Sequence, residues 1–115
     1  MAIYSHLPVY KASYDLLLDI FRLTKNLSRE HRYTIGEDLK KKNIEMVINI
    51  YRANRSYQKQ DTILAAMENL EIMRLYFRIL KDLKQIGLEK FIQINEKVED
   101  VSKQLACWKK ASGPR

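Results

Sequence analysis

Apolar residues recur every three or four positions along most of the chain, which is the spacing that buries one side of an α-helix. The first run of this kind consists of Tyr10, Tyr14, Leu17, Leu18 and Phe21. It follows Pro8, a residue well tolerated in a first helical turn, and predicts a first helix over about residues 8–26. The polar segment 28–33 then breaks the pattern and predicts a loop.

The second helix is predicted over about residues 35–57. Thr34 and Glu37 have the spacing of a capping box, in which each side chain accepts a hydrogen bond from a free backbone N–H group. The three lysines 40–42 lie near the start of this helix and oppose its dipole. Because one helical turn spreads them around the axis, a solvated face and a phosphate site both remain open for these lysines.

The third and fourth helices also have recognisable ends. Asp61 is expected to be the N-cap of a helix over about residues 62–86, and Gly87 is expected to end that helix as a left-handed C-cap. A fourth helix is predicted over about residues 88–110, which leaves residues 111–115 as a flexible tail. The apolar positions of the fourth helix are Phe91, Ile94, Val98, Val101, Leu105 and Trp108.

The arrangement of these helices follows from their length and from the short connections. Four helices of about 20 residues, each about 30 Å long, pack most simply as an antiparallel up-down-up-down four-helix bundle. Three glycines and two prolines, with Pro8 and Pro114 near the ends, are too few to punctuate a β fold. With 115 residues, 46% of them hydrophobic, we expect one all-α domain over residues 1–115.

The third predicted helix carries more apolar surface than one bundle core requires. Its apolar side chains cover roughly 220° of the circumference at about 100° per residue. They are Ile72, Met73, Leu75, Tyr76, Phe77, Ile79, Leu80, Leu83 and Ile86. Because monomers rarely expose patches of that size, we expect a second copy of the chain to cover Leu75, Tyr76 and Ile79. A tightly packed monomer is the alternative.

The remaining narrow side of this helix carries Arg74, Arg78 and Lys81, at spacings that place three cations in one stripe. Such a stripe is suited to phosphates, and a homo-oligomer would repeat it and strengthen binding by multivalency. The helix dipole equally favours these bases and Lys84 near a helix end. A ligand surface and a solvated face therefore both remain open.

The charge of the whole chain favours an anionic partner. The net charge of +7 attracts polyanions, which makes nucleic acid or an acidic protein surface the expected ligand. Arg32 precedes Tyr33 in the predicted loop, a pairing suited to stacking plus charge on single-stranded nucleic acid. Lys109 and Lys110 near the end of the fourth helix are further candidates on their chemistry alone.

Catalysis, cofactors and metals are not indicated. The single Cys107 allows no intrachain disulfide, and His6 and His31 complete no zinc ligand set. Beside Trp108, near the end of an apolar run, Cys107 is expected to be a buried small hydrophobe. A paired Glu-x-x-His motif and a glycine-rich phosphate loop are both absent from the sequence. Lacking a leader-like N-terminus and long apolar runs, the chain is expected to be cytoplasmic.

Three segments carry a resemblance to a known family: residues 7–11 (LPVYK), 30–36 (EHRYTIG) and 73–80 (MRLYFRIL). Together they resemble the bacterial four-helix-bundle family that contains the intervening-sequence proteins of 23S ribosomal RNA. The same family contains the accessory variability determinant (Avd) of diversity-generating retroelements. The likeness covers nearly the whole chain, and the arginine pair in residues 73–80 is closer to the Avd branch.

The resemblance implies a ring-forming homopentamer with a basic surface. That surface would bind the reverse transcriptase of a retroelement and nucleic acid, with RNA expected and DNA as a further ligand, and the protein itself would not be an enzyme. The basic positions of the family fall on Arg74 and Arg78 here. The intervening-sequence branch implies the alternative, an oligomeric interaction module that does not bind nucleic acid.

Overall fold

Residues 7–112 are described by a computed structural model, and they form four long helices, one short helix and no β-strand. The helices are α1 (Pro8–Thr24), α2 (Arg29–Arg32), α3 (Ile35–Arg55), α4 (Gln60–Asp82) and α5 (Leu88–Ala111). The bundle is elongated, with principal dimensions of 47 × 21 × 20 Å. The four-helix bundle predicted from the hydrophobic pattern is confirmed.

The four long helices close around one core. Helix α3 packs against α1 and α4, and α5 packs against α4 and α1. Asp38 at the start of α3 accepts a hydrogen bond from the hydroxyl of Tyr76, late in α4. The side chain of Gln60 at the start of α4 donates to the backbone oxygen of Lys109 at the end of α5. These contacts show that α4 runs antiparallel to both α3 and α5.

The core is built from aliphatic side chains that the helical spacing brings to the inner side of each helix. Its fully buried members include Leu16, Ile20, Leu39, Met46, Ile50, Ile63, Met73, Leu80 and Leu105. Complete burial of such a side chain stabilises the fold by about 1.5–3 kcal/mol before the cost of chain entropy is counted. The core therefore accounts for the association of the four helices.

A buried polar contact joins α1 to α3. Asn43 is completely buried, and its Nδ2 donates a hydrogen bond of 3.1 Å to the backbone oxygen of Ser13. The hydroxyl of Ser13 donates in turn to the backbone oxygen of Tyr10. The Oδ1 atom of Asn43 has no hydrogen-bond partner within residues 7–112. Because an unbonded buried polar group is costly, the bond to Ser13 favours one alignment of the two helices.

The start signals read from the sequence for α3 and α4 are wrong in detail. Thr34 precedes α3, but its hydroxyl donates to the backbone oxygen of Glu30 at 2.9 Å, and α3 has no side-chain cap. The capping box is absent because this threonine is already used by the preceding turn, α2. Helix α4 begins at Gln60 with Lys59 as N-cap, so Asp61 lies in the first turn, where its charge still favours the dipole.

The end of α4 also differs from expectation. The helix stops at Asp82, four residues before the predicted end at residue 86. Lys84, and not Gly87, adopts the left-handed conformation, with φ of 60°. The amide of Gln85 bonds to the oxygen of Leu80, and that of Lys84 to the oxygen of Lys81, which is a Schellman motif. Gly87, with φ of −77° and ψ of 166°, instead precedes α5 as its N-cap.

The other helix ends lie close to the predicted positions. Helix α1 ends at Thr24 and α3 at Arg55, each two residues early, and α5 extends one residue further to Ala111. The segment predicted as a loop contains α2, a single helical turn. Of the predicted tail, residues 113–115 lie outside the described residues, as does His6.

The expectation for Cys107 is wrong, because this residue is exposed. The buried stripe of α5 passes through Val101 and Leu105 at intervals of three and four residues. Cys107 lies two positions after Leu105, which turns it by about 200° and directs it away from the core. Trp108, one position further, is half-buried against the core in its place.

Candidate binding surfaces

Arg74 is the first member of the α4 basic stripe, which we define as Arg74, Arg78 and Lys81. Its guanidinium donates a hydrogen bond to Glu99 on α5, and its Nε lies 3.0 Å from a carboxylate oxygen of Glu71. Burial lowers the pKa of Arg74, but its hydrogen bond to Glu99 and the charges of both carboxylates outweigh burial and raise it. The charge of Arg74 is therefore compensated by carboxylates of α4 and α5.

The other two members of the stripe are less constrained. Arg78 has a side chain that is 67% exposed, and its Nε lies 3.3 Å from Asp82, which is also exposed. An exposed pair of this kind contributes little, so the guanidinium of Arg78 is accessible to a ligand. The Nζ atom of Lys81 lies 5.1 Å from the ring centroid of Phe91 on α5. The stripe thus follows the α5 side of α4, with Arg78 as its most accessible cation.

Arg32 and Lys84 both have roles in helix termination. The Nη2 atom of Arg32 donates to the backbone oxygens of Lys25 at 3.3 Å and Leu27 at 3.2 Å, directly after α1. Its Nε is buried without a hydrogen-bond partner among residues 7–112. Lys84 is exposed and occupies the left-handed position after α4. Tyr33, beside Arg32, is 62% exposed and so remains accessible for stacking.

Lys109 and Lys110 lie in the last turn of α5, beside the α3–α4 connection. The hydrogen bond from Gln60 to the backbone of Lys109 joins these two parts of the bundle. Residues 46–60 and 101–112 contain no aspartate or glutamate, whereas both carry several basic residues. This end of the bundle therefore carries more cations than acids, with Asp61 in the first turn of α4 as the neighbouring exposed carboxylate.

Tyr57 lies in the α3–α4 connection of this region, and its side chain is fully exposed at 102% of its reference area. Arg55 lies with its guanidinium carbon 5.8 Å from the ring centroid of Tyr51. Lys59 donates to the backbone oxygens of Ala53 and Ser56 and so closes the end of α3. We call the accessible residues of this region the turn cluster; they are Arg52, Arg55, Tyr57, Lys109 and Lys110.

Tyr57 is a candidate that reasoning from the sequence missed. Hydrophobic spacing placed Tyr57 at the predicted end of the second helix and gave this residue no role. Among residues 7–112, none of the observed ion pairs involves a member of the turn cluster. An aromatic residue flanked by bases in a segment without acids is the signal that identifies such a region.

One exposed apolar surface runs along α4. The α4 apolar face consists of Ile72, Leu75, Ile79 and Leu83, of which Leu75 is the most exposed at 57%. Tyr76 beside it is half-buried, and its hydroxyl donates to Asp38. Burial, followed by the charge of Asp38, raises the pKa of Tyr76. Of the three residues predicted for an oligomer interface, Leu75 is thus accessible, while Tyr76 and Ile79 are half-buried.

A second exposed apolar surface covers the outer side of α1 and α3. The α1–α3 apolar face consists of Tyr14, Leu18, Phe21, Ile44 and Ile48, all of which are at least 36% exposed. Lys40 of α3 lies 4.8 Å from the ring centroid of Phe21, which places the two helices side by side along this face. Between the two apolar faces, the outer ridge of α3 carries the exposed Lys41, Glu45 and Arg52. The bundle therefore has two separate apolar faces on neighbouring sides.

Other chemistry in the described part of the chain is limited. Within residues 7–112, no group of three side chains is arranged to hold a metal ion. His31 is half-buried in α2, and its Nδ1 lies 2.6 Å from the hydroxyl oxygen of Ser28. Over the same residues, no helix combines the length and the apolar character needed to cross a membrane.

The fold has a counterpart among solved structures. The chain is similar to a protein of unknown function from the S23 ribosomal protein family of Bacteroides thetaiotaomicron, with a TM-score of 0.81 and 18% sequence identity. The likeness covers 89% of this chain and 95% of the other. At this identity it supports the fold alone. No curated protein matches the chain.

A family comparison is more specific. The model of the bAvd-like family matches residues 8–112, which include all five helices. The resemblance to the Avd and 23S intervening-sequence group, expected from three short segments, is thereby confirmed. The chain belongs to the bAvd-like family.

Proposed function

We propose that this protein is a non-enzymatic accessory protein of a diversity-generating retroelement. It assembles into a ring, a homopentamer in keeping with the family resemblance, and binds a reverse transcriptase and nucleic acid through a basic surface. Beyond family membership, one observation supports the assembly part of the proposal: an exposed apolar face lies on α1 and α3, and another lies on α4, which packs against α3. Such a pair of faces is suited to head-to-tail assembly of identical subunits.

The proposed ring interface joins the α4 apolar face of one subunit to the α1–α3 apolar face of the next. Leu75, with Tyr76 and Ile79 beside it, would pack against aromatic and aliphatic side chains around Phe21 and Ile44. A head-to-tail contact closes into a ring when the rotation between subunits is suitable, and remains an open filament otherwise. Because the two faces lie on neighbouring sides of the bundle, each subunit would be rotated by a large angle relative to the previous one. A large rotation favours a closed ring with few subunits.

Assembly would also concentrate positive charge. Each subunit contributes a net charge of +7, and each repeats Arg78, Lys81 and Lys84 in the same orientation. A polyanion or an acidic patch on a polymerase then meets several copies of the same cations, so that weak single contacts add up by multivalency. Arg78 is the preferred contact, because its guanidinium is exposed and able to form two parallel hydrogen bonds to one phosphate.

The experiment combines sedimentation with RNA binding. Analytical ultracentrifugation of the purified protein is expected to give one species larger than a monomer. RNA affinity, measured between about 50 and about 200 mM salt, is expected to fall steeply because phosphate contacts release counterions. A pull-down with the reverse transcriptase of a diversity-generating retroelement is expected to retain that enzyme.

Arg78→Ala is expected to weaken RNA binding severalfold. Arg22→Ala is the matched control, since Arg22 is 71% exposed and pairs with Asp19 at 3.2 Å, as Arg78 pairs with Asp82. Adding Arg74→Ala is expected to weaken binding little further, because the charge of Arg74 is compensated. A monomer that binds neither RNA nor the polymerase would overturn the proposal. An oligomeric ring that shows no salt-dependent binding of RNA would favour the alternative, an interaction module of the intervening-sequence type.

A further inference from the structure

We propose that the turn cluster is a stacking site for single-stranded nucleic acid, in which the ring of Tyr57 stacks on an unpaired base. Arg52, Arg55, Lys109 and Lys110 would neutralise the adjacent phosphates. The site lies at the α3–α4 end of the bundle, whereas Arg78 lies toward the opposite end of α4. This inference rests on the proposed function only in taking nucleic acid as the ligand.

The exposure of Tyr57 is the first observation in support. A tyrosine ring normally contributes to a fold by burying its large apolar area. The side chain of Tyr57 is fully exposed, so its ring contributes no such burial, and it is more exposed than Tyr33 or Tyr14. Both faces of the ring are therefore accessible to a planar ligand.

The charges around that ring are the second observation. Arg52 and Arg55 are three residues apart and therefore lie on the same side of α3. The cation–π contact of Arg55 with Tyr51, four residues earlier, holds the guanidinium of Arg55 against this side of α3. The hydrogen bond from Gln60 to the backbone of Lys109 holds the last turn of α5 next to the same connection. Cations from α3 and α5 thus flank the connection that carries Tyr57.

The third observation is that competing carboxylates do not pair with these cations. In the α4 basic stripe, Glu71, Glu99 and Asp82 lie against the arginines. In the turn cluster, none of the carboxylates of residues 7–112 forms an ion pair with the four cations. Cations without carboxylate partners are the ones that gain most from phosphate contacts.

The combination of an exposed ring and cations favours a single strand over other anionic ligands. Bases in a duplex are already stacked on each other, whereas an unpaired base offers its face to an aromatic side chain. An acidic protein segment would use the cations but not the ring. The aromatic ring of Tyr57 is therefore the feature that distinguishes a single strand from a duplex and from an acidic protein segment.

The test measures binding of two fluorescent RNA probes to the full-length protein by anisotropy. One probe is an oligoadenylate of about 12 nucleotides, within the length that such sites cover, and the other is an abasic strand with the same number of phosphates. Tyr57→Ala is expected to weaken oligoadenylate binding about tenfold and to leave binding of the abasic strand unchanged. Tyr57→Phe keeps the ring and is expected to bind like the wild type.

Two further variants complete the design. Leu88→Ala is the control, since Leu88 is 62% exposed and lies outside every candidate binding surface, and it is expected to change oligoadenylate affinity by less than about twofold. Lys109→Ala combined with Lys110→Ala is expected to lower the slope of log K against log salt by roughly 0.7 for each phosphate that the variant no longer neutralises. Circular dichroism of each variant checks that the helices are retained.

Each outcome decides between the two proposals. Unchanged oligoadenylate binding by Tyr57→Ala, with salt-dependent binding by the wild type, would overturn the stacking site and leave the proposed function standing. An equal drop in affinity for both probes would also overturn it, because the abasic strand has no base to stack. A wild-type protein that binds neither probe would overturn the nucleic-acid part of the proposed function together with this site.

Discussion

Arg74 on α4 and Glu99 on α5 are joined by a hydrogen bond between their charged side chains, 25 residues apart in the sequence. Spacing along α4 left a phosphate-binding surface and a solvated face both open for Arg74, whereas the structure shows this residue connecting two helices. A carboxylate on a neighbouring helix cannot be assigned from spacing within one helix. The contact changes which cation of the α4 basic stripe is available, and it makes stability sensitive to pH.

The Arg74–Glu99 pair should make stability depend on pH in the acid range. The hydrogen bond from Arg74, together with its charge, lowers the pKa of Glu99 below its ordinary value of 4.5. A lowered folded-state pKa contributes stability above the ordinary value, and that contribution disappears as the pH falls through the lowered pKa. Urea denaturation of the wild type and of Glu99→Gln should therefore differ at about pH 6–7 and converge as the pH falls below about 4. A difference that stays constant across this range would contradict the assignment, and Glu96→Gln is the exposed control.

Arg32 is expected to act mainly on stability. Its guanidinium donates to two backbone oxygens that follow α1, so Arg32→Ala should lower the free energy of unfolding by about 1–2 kcal/mol. The neighbouring exposed Arg29 is the control, and Arg29→Ala should change stability by less than about 0.5 kcal/mol. Thermal denaturation gives the comparison. If Arg32→Ala reduces RNA affinity while stability is unchanged, the side chain belongs to the binding surface.

Lys84 occupies a conformation that favours glycine, with φ of 60°. Lys84→Gly should therefore raise the free energy of unfolding by about 1 kcal/mol, because a side chain in the left-handed region is strained. Lys84→Ala removes the same charge but keeps the Cβ atom, so its stability should stay close to that of the wild type. Equal melting temperatures for the two variants would show that charge, and not backbone strain, determines the effect.

The two apolar faces can be tested by separate substitutions and by mixing. Phe21→Glu and Leu75→Glu each place a charge on one face, and both residues are exposed, so the bundle should fold while assembly is abolished. Each variant keeps the opposite face intact. An equimolar mixture should therefore form a heterodimer by analytical ultracentrifugation.

The control for this experiment is Leu88→Glu, since Leu88 is 62% exposed but lies on neither apolar face. This variant should assemble like the wild type. Variants that remain monomeric when mixed would contradict a head-to-tail contact, and would favour an interface in which one face meets its own copy.

The fold was largely predictable because buried residues recur with helical spacing. Leu16 and Ile20 on α1, like Val98 and Leu105 on α5, lie at the intervals that bury one side of a helix. Helix ends were less predictable, since several residues compete for the same backbone groups. Thr34 matched a capping motif but bonds to the preceding turn instead.

The candidate surfaces were only partly predictable. The cationic stripe on α4 was visible in the sequence, but its pairing with Glu99 depends on the packing of α4 against α5. The turn cluster brings Arg55 and Lys109 to one end of the bundle from segments about 50 positions apart in the chain. Only the antiparallel packing of α3, α4 and α5 brings them to the same end.

The bond between Asn43 and Ser13 has a consequence for the outer surface as well as for the core. Sliding α1 along α3 would separate the buried Asn43 amide from its acceptor at Ser13, and a buried amide without a hydrogen bond is costly. An interior made only of leucine and isoleucine would resist such a displacement far less. The Asn43 amide therefore favours one alignment of α1 and α3, which keeps Phe21 opposite the same turn of α3 in every molecule.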